Sequence, residues 1–158
     1  MRNFLKSMSR LGLLLAVLTS TAAASADGGP YWAVARDVFQ IKSSGGAGPQ
    51  SYGAAWNFPS REEAAEAAFE ACGRESPRGE CNTLASSGMN SCFFVLSHVT
   101  DDKYLGRYKL FGASGSEGYP SRAEAEAAAK RSGADTYTNI PDRIHHVGTI
   151  ELLECFWG

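Results

Sequence analysis

The chain contains no apolar run long enough to cross a bilayer. A transmembrane helix needs about 20 consecutive apolar residues, whereas the run near the N terminus covers only residues 11–18. Farther along, the longest apolar stretch is residues 92–96, which is the length of a β-strand. The sequence therefore predicts no membrane insertion after the N-terminal segment has been removed.

The chain also lacks the short motifs of known catalytic chemistry. It has no G-x-S-x-G, H-E-x-x-H, EF-hand or Walker pattern. The glycine-rich residues 43–49 are followed by Gln50-Ser51-Tyr52, not by the Lys and Ser/Thr of a phosphate-binding loop. No close-spaced cysteine pair of the kind typical of structural zinc is present. We therefore predict no catalytic residue, no metal and no cofactor.

The first 26 residues have the pattern of a secretory signal peptide. Arg2, Lys6 and Arg10 precede the apolar run, and Ala24-Ser25-Ala26 is a small-residue cleavage site. Cleavage after Ala26 predicts a periplasmic or secreted protein with a single exported domain, residues 27–158. A domain of that length can bury a core of its own.

The exported part is acidic. Removing residues 1–26 takes away three of the 15 basic residues and none of the 17 acidic ones, so the net charge falls from −2 to −5. Nucleic acids and anionic membranes both need clustered cations on their partner. The charge argues against both and leaves another protein, in the envelope or outside the cell, as the expected partner.

Four cysteines remain, and in an exported chain an even number predicts disulfides. Three pairings of Cys72, Cys81, Cys92 and Cys155 are possible. Cys92-Phe93-Phe94 and Cys155-Phe156-Trp157 resemble each other, and equivalent positions of two similar halves often meet near the axis that relates them. This favours Cys92–Cys155, with Cys72–Cys81 as a local bridge.

A helix start occurs twice. Residues 59–68 recur in similar form as residues 120–129, at an offset of 61 positions and with seven of the ten residues identical. Ser60 with Glu63, and Ser121 with Glu124, have the spacing of a capping box. Gly73 and Gly133 are placed to end the helices. The most charged segments are thus explained by helix capping and not by an active site.

The repeat predicts an α+β fold made of two pseudo-symmetric halves, residues 31–99 and 91–158, each read as strand, strand, helix, strand. Halves of this size are marginal alone. We expect them to form one mostly antiparallel sheet with both helices on one face.

Five residues are candidates for binding. Tyr31, Tyr52 and Tyr137 lie beside predicted loops, and aromatic side chains are favoured at protein interfaces. His145 and His146 are adjacent, and neighbours on an extended segment point to opposite sides. They are therefore poorly placed to share a metal, but either could work with a nearby carboxylate such as Asp142.

Several segments together resemble an uncharacterised family of small exported bacterial domains. They are Trp32-Ala33-Val34-Ala35, the stretch Tyr52 to Trp56, the Pro59-Ser60-Arg61 helix ending in Ala71-Cys72-Gly73, Cys81, and Asn90-Ser91-Cys92. The chain departs from the family pattern at Tyr31-Trp32-Ala33 and at Gly133. The resemblance implies an exported, disulfide-bonded module and supplies no catalytic residue.

We expect an exported, non-enzymatic binding module, in one version an envelope inhibitor or immunity-type protein. One alternative is a small envelope hydrolase that uses His145 or His146 with a carboxylate. Another is a structural envelope protein.

Overall fold

The chain folds into antiparallel strands interrupted by two helices. The computed structural model describes residues 22–24, 28–38, 40, 42–48, 50–77, 79, 81–115, 117–134 and 142–157. The elements in this part are β1 (Ala22–Ala24), β2 (Tyr31–Arg36), β3 (Tyr52–Phe58), α1 (Arg61–Glu75), β4 (Thr83–Met89), β5 (Cys92–Asp102), β6 (Gly106–Ala113), α2 (Arg122–Ala134), β7 (Arg143–His145) and β8 (Thr149–Cys155).

The strands form two sheets. Sheet 1 has the order β1-β3-β2-β4, and sheet 2 has the order β6-β5-β7, with β8 also paired to β5. Apart from the parallel β1–β3 pair, the pairs described are antiparallel. The first strand of each half, β2 or β5, is central in its sheet. It pairs with the strand before the helix, β3 or β6, and with the strands after the helix, β4 in sheet 1 and β7 and β8 in sheet 2. The α+β class is confirmed, and the two halves have similar strand orders.

The central strands are buried on both faces, which sets the layer order. In β2, Trp32 and Val34 face a cluster shared with Phe93 and Val95 of β5. The alternate residues of β2 pack against α1, around Ala64, Ala68 and Cys72. The alternate residues of β5 pack against α2, around Ala125, Ala128 and Ala129. The two sheets therefore lie face to face, with one helix on each outer side.

The expected single sheet with both helices on one face is thus wrong. Such a sheet leaves one face without a covering layer, whereas Trp32, Ala33, Val34 and Ala35 are all at most 1 % exposed. A strand buried on both faces needs two apolar layers around it. The two-sheet sandwich supplies the second layer.

Both helices begin as expected. The amide of Glu63 donates to Ser60 Oγ at 3.2 Å, and the amide of Glu124 donates to Ser121 Oγ at the same distance. The predicted glycine stops are wrong, because α1 continues to Glu75 and Gly133 lies inside α2. At Gly133 an added Cβ would lie 3.2 Å from the Gly148 carbonyl oxygen. This glycine therefore permits close packing and does not end the helix.

The two predicted disulfides, Cys72–Cys81 and Cys92–Cys155, are confirmed. Cys72 is buried on α1 and reaches the start of β4 through Cys81. Cys92 and Cys155 are directly opposite each other on β5 and β8. The described part of the chain has no free cysteine.

Candidate interaction surface at the end of sheet 2

One face of sheet 2 changes from buried to exposed residues towards the β5–β6 turn. Residues on β5 and β6 that share this face pair as Val95 with Ala113, Ser97 with Phe111, Val99 with Lys109, and Asp101 with Arg107. Side chains two residues apart on a strand lie on the same face. The face therefore changes along its length from buried apolar core to exposed charge.

His146 is paired with a carboxylate at the exposed end. Its Nε2 lies 2.6 Å from Asp101 Oδ2, and Arg107 Nε lies 3.9 Å from Asp101 Oδ1. The hydrogen bond with His146, together with the charge of Arg107, holds the pKa of the Asp101 carboxyl below its ordinary value, against a smaller opposing effect of desolvation. The expected carboxylate partner was Asp142, but that residue pairs with Lys103 at 3.4 Å. The histidine–carboxylate pairing occurs with a different acid.

Exposed apolar side chains lie at the same end of the sheet. Tyr104 is 72 % exposed, Ile144 is 66 % exposed and Val147 is 80 % exposed. Ile144 is the strand partner of Asp101, and Val147 follows His146. We call this surface the distal patch; its members are Asp101, Tyr104, Arg107, Ile144, His146 and Val147.

The turn that carries Tyr104 is held by a buried carboxylate. Asp102 is 7 % exposed, and its Oδ1 accepts from the amides of Tyr104 at 2.8 Å and Leu105 at 2.9 Å. Gly106 closes the turn with a φ of 73°, a left-handed conformation that glycine adopts without strain. The Leu105 carbonyl also accepts from the Ala47 amide at 3.0 Å. The turn is therefore well fixed by its own backbone contacts.

A second polar cluster lies farther in on the same face. The Glu151 carboxylate accepts from Lys109 Nζ at 2.6 Å and from Ser97 Oγ. Burial acts to raise the pKa of the Glu151 carboxyl, but these two hydrogen bonds and the charge of Lys109 outweigh it, so the pKa lies below its usual value. Ser97 and Lys109 therefore both donate to the same ionised carboxylate.

Tyr52, one of the predicted binding residues, borders this cluster and is half-buried. Its ring packs against Phe111 with centroids 4.8 Å apart. Burial, and secondarily the negative charge of Glu151, raises the pKa of its hydroxyl. Tyr52 therefore packs at the margin of the inter-sheet core.

Of the remaining candidates, Tyr31 lies away from His146. Tyr31 is the first residue of β2. Tyr52 pairs with Arg36 at the last residue of the same strand, so the two tyrosines lie at opposite ends of sheet 1. Tyr31 packs on the α1 cluster and lines a shallow groove with Pro59 to Glu62 and Met89. Tyr137 lies outside the described residues. His145 belongs to β7 opposite Thr100, but its side chain is not among those described.

Sequence reasoning missed most of the distal patch. Of its members, His146 alone was among the predicted binding residues. Within the described residues, no group of three His, Cys, Asp or Glu is arranged to hold a metal. The helices of the same part of the chain are too short or too polar to span a membrane.

The family resemblance is confirmed by comparison with known proteins. Neither the curated proteins nor the solved structures compared with the chain give a match. A family model does match, over residues 31–109, which run from the start of β2 into β6 and include three of the four cysteines. Since this is half of the chain, the protein belongs to the family described as a domain of unknown function, DUF4189.

Proposed function

We propose that the protein is an exported, non-enzymatic binding module that docks on another protein through the distal patch. The observation that supports this most is the concentration of Tyr104, Ile144 and Val147 at one end of sheet 2, each at least 66 % exposed. Exposed apolar side chains that gather in one region of a surface are a feature of interaction sites. Tyrosine and arginine beside aliphatic side chains are also the composition favoured at interface centres.

The rigidity of the patch supports the same function. Asp102 accepts from the Tyr104 amide and so fixes the turn, and the His146 amide donates to the Val99 carbonyl at 2.9 Å. A surface that is already ordered loses less conformational entropy on binding. The opposite charges of Asp101 and Arg107 at its rim favour a protein partner over a nucleic acid.

Export is part of the proposal. The N-terminal pattern of residues 1–26 and the two disulfides are both typical of a chain that matures in an oxidising compartment. The partner is then an envelope or extracellular protein, and an inhibitor or immunity-type role is the specific form we favour.

The test compares capture by matched variants. The tagged exported protein is used to isolate partners from the envelope fraction of its own host, alongside a Tyr104→Ser/Ile144→Ser variant. A Val38→Ser/Leu84→Ser variant is the control, since these side chains are also apolar and exposed, at 42 % and 41 %, but lie elsewhere. The captured protein is then purified and its affinity measured directly.

We expect the distal variant to weaken binding at least about tenfold, the effect of losing one interface anchor of about 1.4 kcal/mol. The control should bind as the parent does, with all variants unfolding at similar urea concentrations. Two results would contradict the proposal. One is an equal loss of affinity in the distal and the control variant; the other is that every captured protein binds the distal variant as tightly as it binds the parent.

A hydrolase remains the second candidate, because His146 and Asp101 form a histidine–carboxylate pair at 2.6 Å. An orienting carboxylate of this kind is found beside histidine bases. Turnover of peptide, ester or cell-wall substrates that is abolished by His146→Ala and by Asp101→Asn would establish it and overturn the binding-only function.

A further inference from the structure

The outer edge of β3 is occupied by a segment of the predicted signal peptide. Ala22, Ala23 and Ala24 pair in parallel with Ala54, Ala55 and Trp56, respectively. In the described part of the chain, β1 is the segment that pairs with this side of β3, since β2 pairs with the other side. The backbone groups of β3 at this edge therefore depend on residues 22–24 for their partners.

The site beside β3 suits small side chains. At Gly53 an added Cβ would lie 2.2 Å from the Cys72 amide nitrogen and 2.4 Å from the Ala68 carbonyl oxygen, so α1 rests directly on the strand backbone. Helix α1 also contacts β1. A strand added at this edge thus runs close beneath a helix whose buried face is alanine, and the segment that fills it is Ala-Ala-Ala.

The edge of sheet 2 shows how the fold covers an edge permanently. The Phe111 amide of β6 donates to Gln50 Oε1 at 2.6 Å, and the Phe111 carbonyl accepts from Arg36 Nη1 at the same distance. Both covering residues belong to the exported part of the chain. Exposed strand edges promote pairing with other chains, and natural proteins usually protect them.

Cleavage after Ala26 removes β1 from the protein. We propose that the β3 edge is a strand-acceptor site, filled by residues 22–24 in the full chain and opened by signal cleavage to receive an extended segment of a partner protein. The fitting segment is uncharged, is built of small residues, and runs parallel to β3. Addition of a strand to a free sheet edge is a common mode of peptide recognition.

A second copy of this chain is a less suitable occupant. Two copies related by a two-fold axis would join their β3 edges antiparallel, whereas the segment seated here is parallel to β3. The inference rests on the export included in the proposed function, but it concerns a different surface from the distal patch.

The test uses the protein as recovered from an exporting host, with its N terminus identified by mass spectrometry. A synthetic peptide of residues 19–26, Thr-Ser-Thr-Ala-Ala-Ala-Ser-Ala, is the probe. Hydrogen exchange of the backbone amides of residues 54–56 is followed by NMR with and without the peptide. Alternate amides of β3 point towards β2 and towards the free edge, so those that face β2 are the internal reference and those that face the edge are the readout. The control peptide has proline at both Ala23 and Ala24; because successive amides of a strand point to opposite sides, one of the two donors removed faces β3.

We expect an N terminus at Asp27, rapid exchange of the edge amides in the free protein, and about tenfold slower exchange when nine-tenths of the protein has bound the peptide. The proline peptide should have no effect, and Tyr104→Ser/Ile144→Ser should respond to the peptide as the parent does. That last result separates this inference from the distal patch.

Four outcomes would overturn the inference. They are a retained signal peptide, edge amides already protected in the dilute exported protein, equal protection by both peptides, and protection that rises with protein concentration alone. The last would indicate pairing between copies of the chain.

Discussion

The rings of Trp32 and Phe93 are stacked across the two sheets, with centroids 4.6 Å apart and planes 8° from parallel. The two residues are 61 positions apart, the offset that also separates the two helix starts. Val34 and Val95 have the same offset and lie in the same cluster. Residues at equivalent places in the two halves thus meet at the centre of the sandwich.

The stacked pair should dominate the stability of the inter-sheet core. Both side chains are completely buried, and Trp32 Nε1 donates to Ser91 Oγ at 3.0 Å. We expect Trp32→Ala and Phe93→Ala each to lower the free energy of unfolding by about 3–5 kcal/mol. A double-mutant cycle measured by urea denaturation should give a coupling of about 1 kcal/mol. Additive losses would show that the rings do not interact beyond their burial.

The two disulfides should contribute unequally to stability. Their sequence separations are 9 for Cys72–Cys81 and 63 for Cys92–Cys155. Loop-closure entropy predicts about 2.6 kcal/mol for the short loop and about 4.3 kcal/mol for the long one. We therefore expect the Cys92→Ser/Cys155→Ser variant to lose more free energy of unfolding than the Cys72→Ser/Cys81→Ser variant, as measured by denaturant titration. A reversed ranking would contradict the entropic explanation for this protein.

The pairing of Cys92 with Cys155 was predicted correctly but from a wrong premise. The two cysteines were expected to be equivalent positions near an axis between the halves. They are in fact opposite residues on adjacent strands of one half. The corresponding pair in the other half is Tyr31 with Met89. A cross-strand pair cannot be derived from the sequence without knowing which strand lies next to β5.

The helix starts were predictable because capping is local. Ser60 and Glu63 lie within one turn, and their interaction needs no knowledge of the rest of the fold. The distal patch was not predictable, because Asp101 and His146 are brought together by the β5–β7 pairing and are 45 positions apart. The two-sheet arrangement was not predicted, although the apolar run of residues 92–96 contains the signal for it, since a strand without polar alternation is typically covered on both faces.

Close packing of α1 on β3 predicts that Gly53 is intolerant of any side chain. An alanine Cβ there would overlap the backbone of Cys72 and Ala68, which cannot move independently of the helix. We expect Gly53→Ala to destabilise the protein by about 3 kcal/mol, the upper part of the usual range for overpacking. Gly112→Ala is the matched control, because it also lies in a strand and an added Cβ meets nothing within 4 Å.

Thermal and urea unfolding of both variants provide the measurement. Gly112→Ala should stay within about 0.5 kcal/mol of the parent. If both variants lost similar amounts of free energy of unfolding, the effect would come from the backbone conformation of strand glycines and not from the close approach of α1 to Gly53.

The Glu151 cluster predicts a specific acid sensitivity. A carboxyl with a lowered pKa binds fewer protons in the folded chain than in the unfolded chain, so its contribution to stability is complete above the ordinary glutamate pKa of about 4.3. That contribution is lost as the pH falls through the folded pKa. Glu151→Gln should therefore lower the free energy of unfolding at pH 7, and the difference from the parent should shrink below about pH 4.

Urea titrations between about pH 3 and pH 7 would measure this convergence. Glu126→Gln is a useful comparison, since it removes an exposed ion pair with Lys130, one turn away on α2. Exposed pairs of this kind contribute little to stability, so its effect at neutral pH should be smaller than that of Glu151→Gln. Glu151 also has Ser97 as a donor, which is 4 % exposed and would lose its ionised acceptor. A constant difference between Glu151→Gln and the parent across the whole pH range would show that the carboxylate acts through packing and not through its charge.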